Sequence, residues 1–209
     1  MNKKKLAIGV IVVIIFVVIG AFFSKNNYKK LNFGKNINNK SINEMESYIL
    51  NISSYDAKIE VTVTNNKGTN KYILNQKQSN ENEFSQEVIE PSNIKGVQTI
   101  FQDGKLEIRN SKLNLSKTFE NYPSIIENVL WLSSFIKDYK EISNESTIEE
   151  ENNEVIMNVK VKNSNRIIYN KSLYIDKNTG NPTKLFIKDE NNKTSFYIVY
   201  NEIELNSFK

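Results

Sequence analysis

The hydrophobic pattern changes period several times along the chain, and each change predicts an element. Leu6 to Phe23 is an uninterrupted apolar run of eighteen residues without charge or proline. As a helix it would span about 27 Å, close to the roughly 30 Å hydrocarbon core of a bilayer. From Ser41 the apolar positions Ile42, Met45, Tyr48, Ile49 and Ile52 follow helical spacing, with Ser41 and Glu44 placed for a capping box. A helix over 42–52 is therefore expected. The period then drops to two. Ala57, Ile59, Val61 and Val63 alternate with Lys58, Glu60, Thr62 and Thr64, the mark of a strand with one buried face.

The turn Asn65-Asn66-Lys67-Gly68 predicts a hairpin onto a second strand near 70–78. Further strands are expected near 83–90, 96–102, 105–110 and 112–119, with Gln102-Asp103-Gly104 between two of them. After Tyr122-Pro123-Ser124 a second helix is expected, with Ile125, Val129, Leu132 and Ile136 on one stripe. Trp131 and Phe135 widen it on one side and Ile126 and Leu130 on the other. Only Glu127, Ser134, Lys137 and Asp138 form a polar side, so this helix must pack deeply. Strands resume near 140–150, 154–162, 166–176, 183–189 and 194–205, separated by Asn-rich turns. In the last, Phe196, Ile198 and Tyr200 fall on one face and Tyr197 and Val199 on the other, which predicts a strand covered on both sides.

Charge adds a topology. Lys3, Lys4 and Lys5 precede the apolar run and belong on the cytoplasmic side, which exports everything after it. The organisation expected is a cytoplasmic tip over 1–5, a transmembrane signal anchor over 6–23, a polar lysine- and asparagine-rich tether over 24–40, and one extracytoplasmic domain over 41–209. The run ends in Gly20-Ala21-Phe22-Phe23 without an A-x-A site, which favours a permanent anchor, with cleavage after Ala21 as the alternative. Val18-Ile19-Gly20-Ala21 has the look of a lipoprotein signal without its cysteine.

Composition then removes most chemistry. The 209 residues include no cysteine and no histidine, so disulfides, thiolate ligands, thioether lipidation and the commonest general base are all absent. Without the first 23 residues the chain has 25 basic and 24 acidic side chains, a near-neutral balance that gives no support for nucleic-acid binding. Asn, Lys and Ile are over-used in the manner of an AT-rich genome, and a Gram-positive source is the natural guess. The acidic run Glu149, Glu150, Glu151 and Glu154 flanks an Asn-Asn turn and reads as a solvated hairpin tip rather than a catalytic pair. Asp176-Lys177-Asn178-Thr179-Gly180 has its glycine one place too early for a calcium loop and Ile187 where the closing glutamate should be, so it reads as a turn. Neither a phosphate-binding loop nor a G-x-S-x-G motif occurs. No cofactor and no metal are expected, and a hydrolase working through carboxylates is disfavoured by the missing general bases.

The order of elements, a helix, an antiparallel meander, one apolar helix and then long hairpins, resembles the LolA/LppX-type lipoprotein-carrier family. The stretch from Leu173 to Asp189 is similar to that family's hairpin, with Ile175-Asp176, Thr179 and Pro182 in an ID-x-x-T-x-x-P arrangement, continued by Tyr197-Ile198-Val199-Tyr200-Asn201. Within this group, Tyr48-Ile49-Leu50-Asn51-Ile52-Ser53-Ser54-Tyr55 is similar to clostridial germination lipoproteins of the GerS type. The resemblance implies a mainly β, α+β fold, a strongly curved antiparallel half-barrel whose concave face is plugged by helices, and no enzymatic activity. It also implies a cell-envelope partner, a cortex-processing amidase, in support of spore cortex modification and germination. This chain departs from the type in replacing the lipid with its apolar run. The candidate cavity or interface is formed by Ile125, Val129, Trp131, Leu132, Phe135 and Ile136, and the alternative function is binding or sensing of a lipid or acyl chain there.

Overall fold

A computed structural model describes residues 41–122, 125, 128–142, 145–161 and 167–206. The apolar run over 6–23, the tether over 24–40 and residues Pro123, Ser124, Ile126 and Glu127 lie outside the described residues. Among the described residues no helix is long and apolar enough to cross a membrane.

The first helix, α1 (Ile42–Leu50), starts where the sequence predicts. The Ser41 hydroxyl accepts from the Glu44 amide at 3.3 Å and the Glu44 carboxylate accepts from the Ser41 amide at 2.8 Å, a complete capping box. Such a cap stabilises a helix by about 1 kcal/mol. Met45 and Ile49 turn its apolar side into the core.

Among the described residues eleven strands follow: β1 (Ser54–Asn65), β2 (Gly68–Asn80), β3 (Glu83–Glu90), β4 (Val97–Gln102), β5 (Lys105–Asn110), β6 (Leu115–Phe119), β7 (Thr147–Glu151), β8 (Glu154–Lys160), β9 (Asn170–Asp176), β10 (Pro182–Lys188) and β11 (Thr194–Asn206). They form one antiparallel sheet in the order β6-β5-β4-β3-β2-β1-β11-β10-β9-β8-β7. The first and last strands of the domain, β1 and β11, pair at its centre, and two meanders run outward from them to free edges at β6 and β7. The fold is thus mainly β, a single large open sheet with few helices.

Asp103 and Gly104 both have positive φ, +48° and +78°, the two-residue turn whose twist suits a tight hairpin. In β1 the side chains of Tyr55, Ala57, Ile59 and Val61 are buried, while those of Asp56, Lys58, Glu60 and Thr62 face away, as the alternation predicts.

The second helix, α2 (Leu132–Glu141), begins seven residues later than Ile125, where the apolar stripe predicts it. Residues 128–131, just before it, are turns and bends. The Asn128 amide donates to the Ile125 carbonyl at 2.9 Å, and the Asn128 side-chain oxygen accepts from the Leu130 amide at 3.0 Å. An asparagine that folds back on the backbone in this way competes with a helix. Apolar density in this stretch reflects burial, which periodicity alone cannot distinguish from helix. At its other end α2 runs through Lys140 and Glu141, where the sequence predicts a strand, and β7 starts only at Thr147.

Both helices lie on one face of the sheet, α1 against β7 and α2 against β8 and α1. They close a core that includes Ile49, Ile59, Phe84, Trp131, Leu132, Phe135, Met157, Leu173, Ile175, Leu185 and Ile198.

Candidate functional site

Five of the six residues expected to line a cavity, Ile125, Trp131, Leu132, Phe135 and Ile136, are buried, and Val129 packs half-buried against the same core. Trp131 sits 5.1 Å from Phe84, ring centroid to ring centroid, in an edge-to-face contact, and 6.4 Å from Tyr55. These side chains fill the space between helix and sheet. An acyl chain placed there would have to displace Trp131, Leu132 and Phe135.

The polar groups around α2 hold it in place. Trp131, at the N-cap, offers no side-chain cap. The sheet supplies one: the Leu132 amide donates to the Tyr55 hydroxyl at 3.3 Å, Tyr55 donates to Gln76 at 3.2 Å, and the Gln76 amide donates to Gln86 at 2.8 Å and to the Leu130 carbonyl at 3.3 Å. One turn further on, Ser134 and Asp138, expected on the polar side, face the sheet instead. The Lys171 ammonium, only 1% exposed on β9, donates to the Ser134 hydroxyl at 2.8 Å and pairs with Asp138 at 2.6 Å. Burial lowers the Lys171 pKa from its ordinary value, and the Asp138 carboxylate opposes that shift. Tyr139 donates to Glu46 at 2.7 Å and so ties α2 to α1. A buried cation without a partner would be costly, so Lys171 is explicable only with Asp138 and Ser134 above it.

A large recess lies on the opposite side of the sheet. A groove of about 1170 Å³ crosses β11, β1, β2, β3, β4 and β5. Asp56, Glu87, Glu202 and Glu204 bring acids to it, Lys58, Lys77 and Arg109 bring bases, and Asn75, Gln98, Ile89 and Ile100 complete much of its wall. The register explains the assembly: Lys58 lies opposite Asn75 and Glu202, Asn75 opposite Glu87, Glu87 opposite Gln98 and Gln98 opposite Arg109. Arg109 donates to Gln98 at 2.7 Å and Gln98 to Glu87 at 3.3 Å, a polar rung across three strands. A mixed-charge, open groove of this kind suits a hydrated polymer or a protein surface better than a small apolar ligand. Sequence reasoning missed it. The alternation names the outward residues of each strand, but only the register shows which ones meet. A second recess of about 310 Å³ lies among Asn158, Lys160, Asn170, Ser172 and Lys188.

The outward side of the last strand differs from expectation. Among the described residues no further layer covers Tyr197; it stacks on Phe186 at 4.5 Å, and Phe186 meets Tyr174 at 5.3 Å, an aromatic row across β11, β10 and β9 that remains partly exposed.

The carboxylates do not converge. Glu150 pairs with Lys177, Glu154 accepts from Lys184 and Thr183, each at 3.2 Å, and Glu149 accepts from Asn158 at 3.1 Å. The Asp176 carboxylate accepts from the backbone amides of Asn178 and Thr179, with Gly180 at φ +69° closing the turn. Among the described residues no cluster of three or more acidic side chains is placed to hold a metal.

The family model described as "Sporulation protein YdcC-like" matches residues 3–207. No curated protein sequence matches the chain. Among solved structures, a chain in the structure of the CwlD amidase from Clostridioides difficile in complex with the GerS lipoprotein aligns over 77% of this chain and 91% of its own length, at 23% identity and a TM-score of 0.50. An uncharacterised conserved protein from Thermus thermophilus aligns over 80% and 87%, at 11% identity and 0.49. The LolA superfamily protein NE2245 from Nitrosomonas europaea aligns over 82% and 96%, at 7% identity and 0.40. The expectation drawn from Leu173–Asp189 and Tyr48–Tyr55, a LolA-like fold near the GerS type, holds.

Proposed function

We propose, because this chain belongs to the YdcC-like family of sporulation proteins, that it is a membrane-anchored, non-catalytic binding protein that holds a cell-wall amidase outside the membrane. In this reading residues 1–5 stay in the cytoplasm, 6–23 cross the bilayer, 24–40 form the tether, and the domain from 41 onward carries the binding surface on a curved sheet. The observation that carries it is the likeness in fold to a chain from an amidase complex, together with family membership. Further support comes from the mixed-charge groove, whose width over six strands suits a protein surface. Anchoring would raise the local concentration of the pair and so strengthen an otherwise modest affinity.

The test is to express the full chain with the cortex amidase of its own host, extract in mild detergent and capture through the chain. Co-purification, reduced by Arg109→Glu, together with an altered cortex muropeptide profile by mass spectrometry in spores lacking the chain, is expected. A chain that captures no amidase, in a host whose cortex is unchanged by its deletion, overturns the reading.

A further inference from the structure

Five of the six exposed large hydrophobic side chains among the described residues fall between residues 108 and 122: Ile108, Leu113, Leu115, Phe119 and Tyr122. Leu113 and Leu115 are the most open, at 65% and 63%. All five belong to the β5–β6 hairpin or the residues just beyond it, at the free edge of the sheet, where every residue of β6 is exposed.

The pairing sorts this hairpin into two unlike sides. Leu106 lies opposite Phe119, Ile108 opposite Lys117 and Asn110 opposite Leu115. Leu106 is in the core, so Ile108, Leu115, Lys117 and Phe119 continue the core face beyond the part that the helices cover. The tight turn of residues 111–114 adds Lys112 and Leu113 at the tip. Glu107 and Arg109 face the other way. There Glu107 accepts from Ser116 at 2.8 Å, and Glu120, also on that side, pairs with Lys105 at 3.2 Å. Among the described residues of the two strands, the one charged side chain on the apolar side is therefore a cation, Lys117, whose ammonium lies 5.0 Å from the Phe119 ring centroid, and Lys112 adds a second cation at the tip.

We propose that this side of the β5–β6 hairpin docks on a bilayer surface bearing anionic headgroups, with Leu113, Leu115 and Phe119 at the acyl boundary and Lys112 and Lys117 among the phosphates. The charge is complementary, and long lysine stems bury their methylenes along apolar surface while the ammonium stays in water. Protein interface cores, in contrast, are depleted in lysine. The depth is limited by the backbone. The unpaired amides and carbonyls of edge strand β6 need water, so the hairpin lies at headgroup level rather than in hydrocarbon. The inference rests on the anchored reading above for proximity. The seventeen residues of the 24–40 segment reach at most about 58 Å when extended. Ten strand spacings across the sheet amount to about 48 Å, so the segment is long enough to let this edge meet the bilayer.

The absence of cysteine allows a single label. Leu113→Cys carrying an environment-sensitive fluorophore, in the full chain, is compared with Thr118→Cys on the opposite side of the same hairpin. Each is reconstituted in nanodiscs of phosphatidylcholine alone or mixed with phosphatidylglycerol. Emission from position 113 should rise and shift to the blue in the anionic discs, with roughly tenfold or greater preference over neutral ones from two lysines near the surface. The label at 118 should not respond, and Lys112→Glu/Lys117→Glu should abolish the preference. No change at 113 in chains that co-elute with anionic discs overturns the proposal, as does an equal response at both positions. A response only when the amidase is added also overturns it, in favour of a protein partner. If the chain does not co-elute with discs, the anchored reading fails by itself. The same labelled chain is then mixed with phosphatidylglycerol vesicles, where a response at 113 supports the docking surface and its absence overturns it.

Discussion

The two flanks of the sheet use the same inward face in opposite ways. On β9 an inward position holds a lysine, yet it is 1% exposed, because α2 lies above it with Ser134 and Asp138. On β5 and β6 the inward positions hold Ile108, Leu115 and Phe119, and these are open. Residue type would have placed them the other way round. What decides burial here is the reach of α2 over β8 and its neighbours, so a polar side chain under the helix is satisfied and an apolar one beyond it is left for something else to cover.

The strongest way to break this contrast is to remove the Asp138 carboxylate. Asp138→Ala leaves the Lys171 charge buried without its counter-ion, and a loss of about 3–5 kcal/mol of stability is expected. Lys171→Met should cost far less, within about 1.5 kcal/mol, because it removes the charge that needed pairing while keeping the volume, and Asp138, 18% exposed, can turn to water. Urea unfolding of the two variants distinguishes them. Equal losses would mean that the pair stabilises the fold outright rather than compensating a buried cation.

The start of α2 offers a finer comparison. Tyr55 and Tyr200 both point into the core, but the Tyr55 hydroxyl serves Leu132 and Gln76, whereas the Tyr200 hydroxyl is buried with no hydrogen-bond partner among the described residues. Tyr55→Phe should cost about 1–3 kcal/mol through the orphaned partners, while Tyr200→Phe should be neutral or stabilising by about 1 kcal/mol. Burial pushes both tyrosines above the ordinary value, and Tyr139 as well, helped there by Glu46. Unfolded, each would lose its proton near pH 10, and folded only above it. Across that window the unfolded state binds fewer protons, so stability is fully present below about pH 10 and falls as the pH rises through it. Lys171 acts with the opposite sign, since its lowered value lets stability rise with pH below about 10.4. Tyr200→Phe should therefore flatten the alkaline loss in thermal melts between pH 9 and 11. An unchanged profile would mean that Tyr200 titrates alike in both states.

What could be read from the sequence follows from how local each signal is. The capping box at Ser41 and Glu44, the alternation of β1 and the Asp103-Gly104 turn are set by neighbours along the chain, and all three stand as expected. The start of α2 could not be read, because Asn128 ends the helical reading with its own side chain while the surrounding residues stay apolar. The local pattern puts Ser134 and Asp138 on the polar side, since the residue that draws them inward, Lys171, is remote in sequence. The groove depends on register across six strands, and the uncovered edge on where a helix stops. Neither quantity has a local signature.

The smallest effect expected is also the sharpest test of that last point. Leu115→Asp places a charge on the inward side of β6, which in β9 would be ruinous without a partner. At 63% exposure on an edge strand it should change stability in solution by less than about 0.5 kcal/mol, the range of surface substitutions away from special features. A denaturant titration of the detergent-solubilised full chain measures it. A loss of about 2 kcal/mol or more, the size of a core truncation, would mean that the β5–β6 face is closed in solution by another part of the chain. A silent substitution leaves the same surface free, so that any effect of Leu115→Asp in a membrane must come from what the surface meets there.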